Sequence, residues 1–77
     1  MTLAQARTNC VYRVLGVGGE ETMRRRLLDM GFTRGTAVYV GGVSPTGGTV
    51  LVGLRNFAVA LRSDAAAVVK VGEENRA

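Results

Sequence analysis

Residues 20–30 read Glu-Glu-Thr-Met-Arg-Arg-Arg-Leu-Leu-Asp-Met, and this run decides the fold. It predicts an α-helix. Glu20 and Glu21 stand in the first turn, where the helix dipole favours negative charge. Each precedes an arginine by four positions, Glu20 with Arg24 and Glu21 with Arg25, which is the favoured order for such pairs. Met23, Leu27 and Met30 fall on one stripe, the face to be buried. Gly18-Gly19 lets the chain turn into the helix, and Gly31 supplies the left-handed residue that ends it. Phe32 then anchors the chain back on the core.

On both sides of the helix the apolar period changes to two. Cys10–Val17 (CVYRVLGV) reads as a strand with Tyr12 and Val14 on one face. A bulge at Leu15-Gly16 would return Val17 to that face. Before it, Leu3 and Ala6 can tuck a lead-in over residues 1–9 against the core, and Thr8-Asn9 reads as a turn because Asn tolerates the left-handed conformation. After the helix, Thr33–Thr36 is a tight turn and Thr36–Val43 a strand with Val38 and Val40 on one face. Ser44–Gly48 (SPTGG) is a hairpin loop. Thr49–Leu54 follows with Val50, Val52 and Leu54 inward. Arg55-Asn56 is expected to form a two-residue turn with Asn56 at positive φ, leading into Phe57–Arg62 with Phe57, Val59 and Leu61 inward. Ser63-Asp64 caps a helical turn through Ala67, Val68–Val71 closes the sheet, and a polar tail over residues 73–77 is expected to fray. Short strands, tight turns and one helix between the first and second strands suit a mainly β fold, a small closed or half-closed barrel with few free edges.

Bulk composition narrows the function classes. With 77 residues the chain is expected to be a single domain, and 47% hydrophobic residues are too many for disorder. Cys10 is the only cysteine and there is no histidine, which excludes an internal disulfide and a zinc ribbon or knuckle. Cys10 in an apolar run reads as a small buried hydrophobe. Ferrous iron prefers histidine and carboxylate ligands held together. Here the acids are scattered over Glu20-Glu21, Asp29, Asp64 and Glu73-Glu74 and have plain capping or solvent roles, so neither a metal site nor a cofactor is expected. No Ser/His or Cys/His pair and no phosphate loop with a lysine is present, so an enzyme is not expected. The absence of an apolar leader or spanning run points to the cytoplasm.

The net charge is +4, with arginine making up almost all of the basic residues. Arg24, Arg25 and Arg26 are adjacent, so they point about 100° apart on a helix and make no single patch. Arg25 projects away from the apolar stripe, while Arg24 and Arg26 flank it and can lay their stems on it. Aromatic interleaving for single-stranded nucleic acid is missing.

The run Arg26-Leu27-Leu28-Asp29-Met30-Gly31-Phe32-Thr33-Arg34-Gly35 resembles the helix-and-turn signature of the ferrous iron transport protein A family (FeoA), usually R-L-L-D-L-G-L-T-P-G. Pro45-Thr46-Gly47-Gly48 lies where that family has P-x-G-D, Arg55-Asn56-Phe57 where it has R-G-Y, and Ala60-Leu61-Arg62 matches its A-L-R. Arg34, Gly48 and Asn56 depart from the usual Pro, Asp and Gly. The similarity covers essentially the whole chain. It implies an SH3-like β-barrel, a fold shared with a C-terminal domain of iron-dependent repressors. It also implies a role in Fe(II) uptake beside FeoB, a large membrane protein with a cytosolic GTPase domain, with membrane contact only through that partner. The structural signature is then Arg26, Leu27, Leu28, Asp29, Gly31, Gly35 and Arg62. Candidate partner-binding residues are Arg24 and Arg26, beside the helix stripe, and Tyr39 and Leu51, on the outward sheet face among Gly41, Gly53, Ala58 and Ala60. Two alternatives remain open: a nucleic-acid-binding barrel, motivated by the charge, and a self-associating module using the same sheet face.

Overall fold

A computed structural model describes residues 1–73. The helix forms where the sequence places it. α1 spans Glu21–Met30, and Gly31 closes it at φ 113°, with its N–H donating to the Leu27 and Leu28 carbonyls. Phe32 follows and is wholly buried. Glu20 differs from expectation. It is the N-cap rather than a first-turn residue, and its carboxylate accepts the Met23 N–H at 3.3 Å. A side-chain acceptor at that position satisfies a donor the helix itself leaves orphaned. Glu21 does pair with Arg25, at 2.9 Å.

Five strands form one antiparallel sheet: β1 Cys10–Val17, β2 Ala37–Val43, β3 Thr49–Gly53, β4 Ala58–Arg62 and β5 Val69–Glu73. Their spatial order is β4-β3-β2-β1-β5. A short helix, α2 Ser63–Ala66, joins β4 to β5. The sheet curls around a core of Val14, Val38, Val40, Val52, Val69 and Val71 from the strands, closed by Leu27 and Phe32. Leu3 enters from a 3-10 turn over Leu3–Gln5 and is buried as expected. Buried Tyr12 keeps its hydroxyl satisfied by accepting the Arg7 N–H at 2.9 Å, which a buried polar atom requires.

The β1–β5 register shifts between Val14 and Gly16, the bulge anticipated there, and Val17 packs against the core. Asn9 sits at φ 62°, the left-handed conformation expected of it. A second shift, between Val40 and Gly42 in β2, is not signalled by the alternation.

Four expectations are corrected. Asn56 does not take a positive φ; among the described non-glycine residues only Asn9 does. The hairpin instead closes through a 2.7 Å bond from Leu54 N–H to the Phe57 carbonyl. Phe57 is not inward but 50% exposed, because the ladder ends at the Gly53–Ala58 pair and Phe57 lies past it. β5 runs on through Gly72 and Glu73, each paired with β1; the remainder of the expected tail lies outside the described residues. Cys10 is half-buried at the core margin rather than enclosed.

Candidate functional site

Strand alternation puts Val38, Val40, Val50 and Val52 inward, so their neighbours Tyr39 and Leu51 must face out. Tyr39 is 44% exposed and Leu51 47%. Val11, Tyr39, Gly53 and Ala58 stand in one row across four strands. The tyrosine and leucine side chains converge over Gly41: a Cβ built there would lie 3.7 Å from both. With Val11 and Val43 also exposed, the result is an apolar outer face. Exposed apolar surface of this kind on a small domain marks an interaction site more often than an isolated leucine does. The Tyr39 hydroxyl is fixed by donating to Asn9 Oδ1 at 2.8 Å.

A groove of about 500 Å³ runs between α1 and the β4–α2 corner. Half-buried Met23 and Met30 form one wall and Val59 the other, over Leu27 and Leu61. Arg26 stands at its rim, as does Arg62 at the end of β4. Ala60 borders this groove and also a hollow beside Leu51, so the groove and the outer face are continuous around the β4 edge. The four candidate residues therefore do not form one cluster. Arg26 and Leu51 share that wrapped surface, Tyr39 lies further across the sheet, and Arg24 is exposed outside the groove.

The signature residues differ in place, and Arg26 and Arg62 are exposed. Leu27 is in the core, Leu28 is half-buried and Asp29 is exposed. Gly35 turns at φ 91° and donates its N–H to the Val14 carbonyl at 2.8 Å, while its own carbonyl accepts from Arg13 Nη1 at 2.7 Å. Sequence reasoning did not single out that Arg13–Gly35 clasp, nor the groove; Arg62 was read only as part of a motif.

No described helix is long and apolar enough to cross a membrane. Among the described residues no three His, Cys, Asp or Glu side chains come together to hold a metal ion.

A β-sheet curled around one core, with a helix inserted after the first strand, is the architecture of small SH3-like barrels. The FeoA domain model matches residues 1–73, and this chain belongs to the FeoA family. A FeoA-like protein from Clostridium acetobutylicum superposes with a TM-score of 0.89 at 28% identity, covering 100% of this chain and 90% of that one. FeoA from Stenotrophomonas maltophilia, solved with zinc and described as a prokaryotic SH3 domain protein and candidate ferrous iron transport activating factor, gives 0.82 at 30% identity over 94% and 89%. A manganese-dependent transcriptional repressor shares the fold at 20% identity and a TM-score of 0.87, with this chain spanning 41% of its length. Comparison with curated proteins finds no match. The zinc belongs to the Stenotrophomonas protein; the donor set on this chain does not fit a metal centre among its described residues.

Proposed function

We propose that this chain is a non-catalytic, cytoplasmic accessory protein of ferrous iron uptake, working as one domain, that acts by binding the cytosolic part of a FeoB-type transporter. The observation that carries this is the exposed Tyr39–Leu51 face on a member of the FeoA family. Tyrosine suits a protein interface, offering apolar area with a polar tip, and here its hydroxyl is already fixed by Asn9. Arg26 adds a flat, weakly hydrated charge beside that surface, which pairs well with carboxylates. An apolar face flanked by arginine suits binding, and binding is the contribution inferred.

The test is titration of the purified chain against the isolated cytosolic region of FeoB by calorimetry. Saturable binding that Tyr39→Ala weakens, with the variant's melting temperature close to the parent's, supports the reading. An absence of binding at millimolar concentration overturns it.

A further inference from the structure

The two outer strands of the sheet are treated differently. β5 is covered by the chain's own start: Thr2 bridges Lys70, and Val71 N–H donates to the Met1 carbonyl at 2.9 Å. Among the described residues β4 has no such cover. Bonds from Leu54 N–H to the Phe57 carbonyl and from Ser63 N–H to the Gly48 carbonyl frame the β3–β4 hairpin. Val52–Val59 and Val50–Leu61 have the same phase, so the odd-numbered residues of β4 bond to β3. The N–H groups of Ala58, Ala60 and Arg62 and the carbonyls of Ala58 and Ala60 therefore point off the sheet. An uncovered edge of this kind is a template for another strand.

Beside that edge lies the groove under α1, of a size typical of ligand clefts. A strand laid along β4 would alternate its side chains between the apolar groove and the outer face next to Ala58, Ala60 and Arg62. Charge selects what those side chains are. The two acids bordering the groove are engaged at helix starts: Glu20 accepts from Met23 N–H, and Asp64 from Ala65 N–H at 2.8 Å. Arg26 and Arg62 have no carboxylate partner among the described residues. Both carboxylates keep their charge, so the groove rim is balanced, whereas the outward row of β4, Ala58, Ala60 and Arg62, carries a single charge, the Arg62 cation.

We propose that the β4 edge takes up an extended segment of the partner protein, apolar residues alternating with acidic ones, as a sixth strand. This rests on the transporter-binding reading for the partner's identity and adds the mode of contact. Main-chain bonds supply affinity and the alternating side chains supply selectivity, as in strand addition generally.

The test uses amide exchange of the isotope-labelled full chain. The probe is a capped hexapeptide alternating valine and glutamate, with a valine–lysine peptide as control. Binding should protect the Ala58, Ala60 and Arg62 amides, while those of Val59 and Leu61 are protected from the start. Arg62→Glu should weaken the acidic peptide about tenfold or more, with the lysine control reversed in preference. Ala60→Pro removes an N–H that points off the sheet, a change edge strands tolerate, and should abolish uptake with the fold intact. Should that variant unfold, the exchange pattern of the parent still decides.

Failure of the glutamate peptide to protect the three amides at millimolar concentration overturns the proposal. So does protection without peptide, whether concentration-dependent, meaning a second copy fills the edge, or concentration-independent, meaning the chain's own segment does. FeoB binding that leaves these amides exchanging overturns the strand addition but spares the accessory role. Peptide uptake with no FeoB binding overturns the role and spares the edge.

Discussion

The Tyr39 hydroxyl donates a 2.8 Å hydrogen bond to the side-chain oxygen of Asn9, thirty residues earlier in the chain. The same Asn9 stands at φ 62° and gives its backbone N–H to the Val40 carbonyl at 2.6 Å. A single turn residue thus orients an exposed aromatic ring and bonds to the strand that carries it. Tyr39 is held in place before any partner arrives, which lowers the ordering cost of binding.

Removal of that hydroxyl separates its structural from its binding role. Tyr39→Phe loses one exposed hydrogen bond and should cost no more than about 1 kcal/mol of stability. Asn9→Gly keeps the backbone conformation available and should do little more, whereas Asn9→Val forces a β-branched residue into the left-handed region and should cost more than either. Urea denaturation of the three variants checks the order. A Phe variant destabilised as much as the Val variant would show that the hydroxyl matters beyond this bond.

Leu27 is the part of the helix that the core needs. It is 1% exposed, whereas Met23 and Met30 on the same stripe are only half-buried. Leu27→Ala should destabilise by about 2–5 kcal/mol, the transfer loss plus a cavity. Met23→Ala should cost clearly less, since Met23 borders the open groove and is only half-buried. Equal losses at both positions, measured by chemical denaturation, would contradict the packing described.

Two glycines distinguish backbone strain from collision. Gly31 has φ 113° and open space where a Cβ would stand, so Gly31→Ala should cost about 1–2 kcal/mol from conformation alone. Gly19 has φ 88° and would place a Cβ 3.1 Å from Val68 Cγ1, adding a tight contact to the strain. Gly19→Ala should therefore be the more damaging, read as a larger fall in melting temperature.

These residues also show how far local sequence reaches. The helix, its glycine stop and the Asn9 turn were legible because each depends on residues within one turn of chain. So were the buried strand positions, fixed by a period of two. Phe57 was misread for the opposite reason: alternation gives a side chain's direction but not where the sheet ends. Its parity matches Val59 and Leu61, yet pairing stops at Ala58 and no core lies over it. Asn56 carried a turn propensity that the closing Leu54–Phe57 bond did not call on. The Tyr39–Leu51 face followed from alternation alone. The groove did not, because it depends on the stand-off between α1 and β4, elements that are distant in sequence.

Metal addition offers a negative prediction. Stoichiometric Fe(II) or Zn(II) should leave the melting temperature of the monomer unchanged, since a ligand stabilises only when its concentration exceeds its dissociation constant. The chain has no histidine, and its described acids do not gather. A metal-dependent rise in the monomer would show a site that this donor set does not predict. A rise confined to dimers would point to ligands shared between two copies.

The last prediction maps the transporter-binding surface by single substitutions. The candidates differ in place, so they should differ in effect. Tyr39 and Leu51 lie on the outer face, and Arg26 lies at the groove continuous with it around Ala60. Arg24 is exposed outside the groove, and Arg25 is engaged with Glu21 on the exposed side of α1. Each variant must first melt close to the parent, so that loss of folding is not read as loss of binding. Tyr39→Ala should weaken binding to the FeoB cytosolic region by about 2 kcal/mol or more if it is a hot spot, with Leu51→Ala a smaller loss. Arg26→Glu should raise the dissociation rate, because it reverses a charge beside a desolvated surface. Arg25→Glu, on the solvent side, should change salt dependence and association rate and little else. Arg24→Glu discriminates between two surfaces. A strong loss there together with an unchanged Arg26→Glu would move the interface to the opposite flank of the helix. Retained affinity in all the variants would displace the site to the turns at Thr33–Gly35 and Pro45–Gly48, two further features that match the family signature.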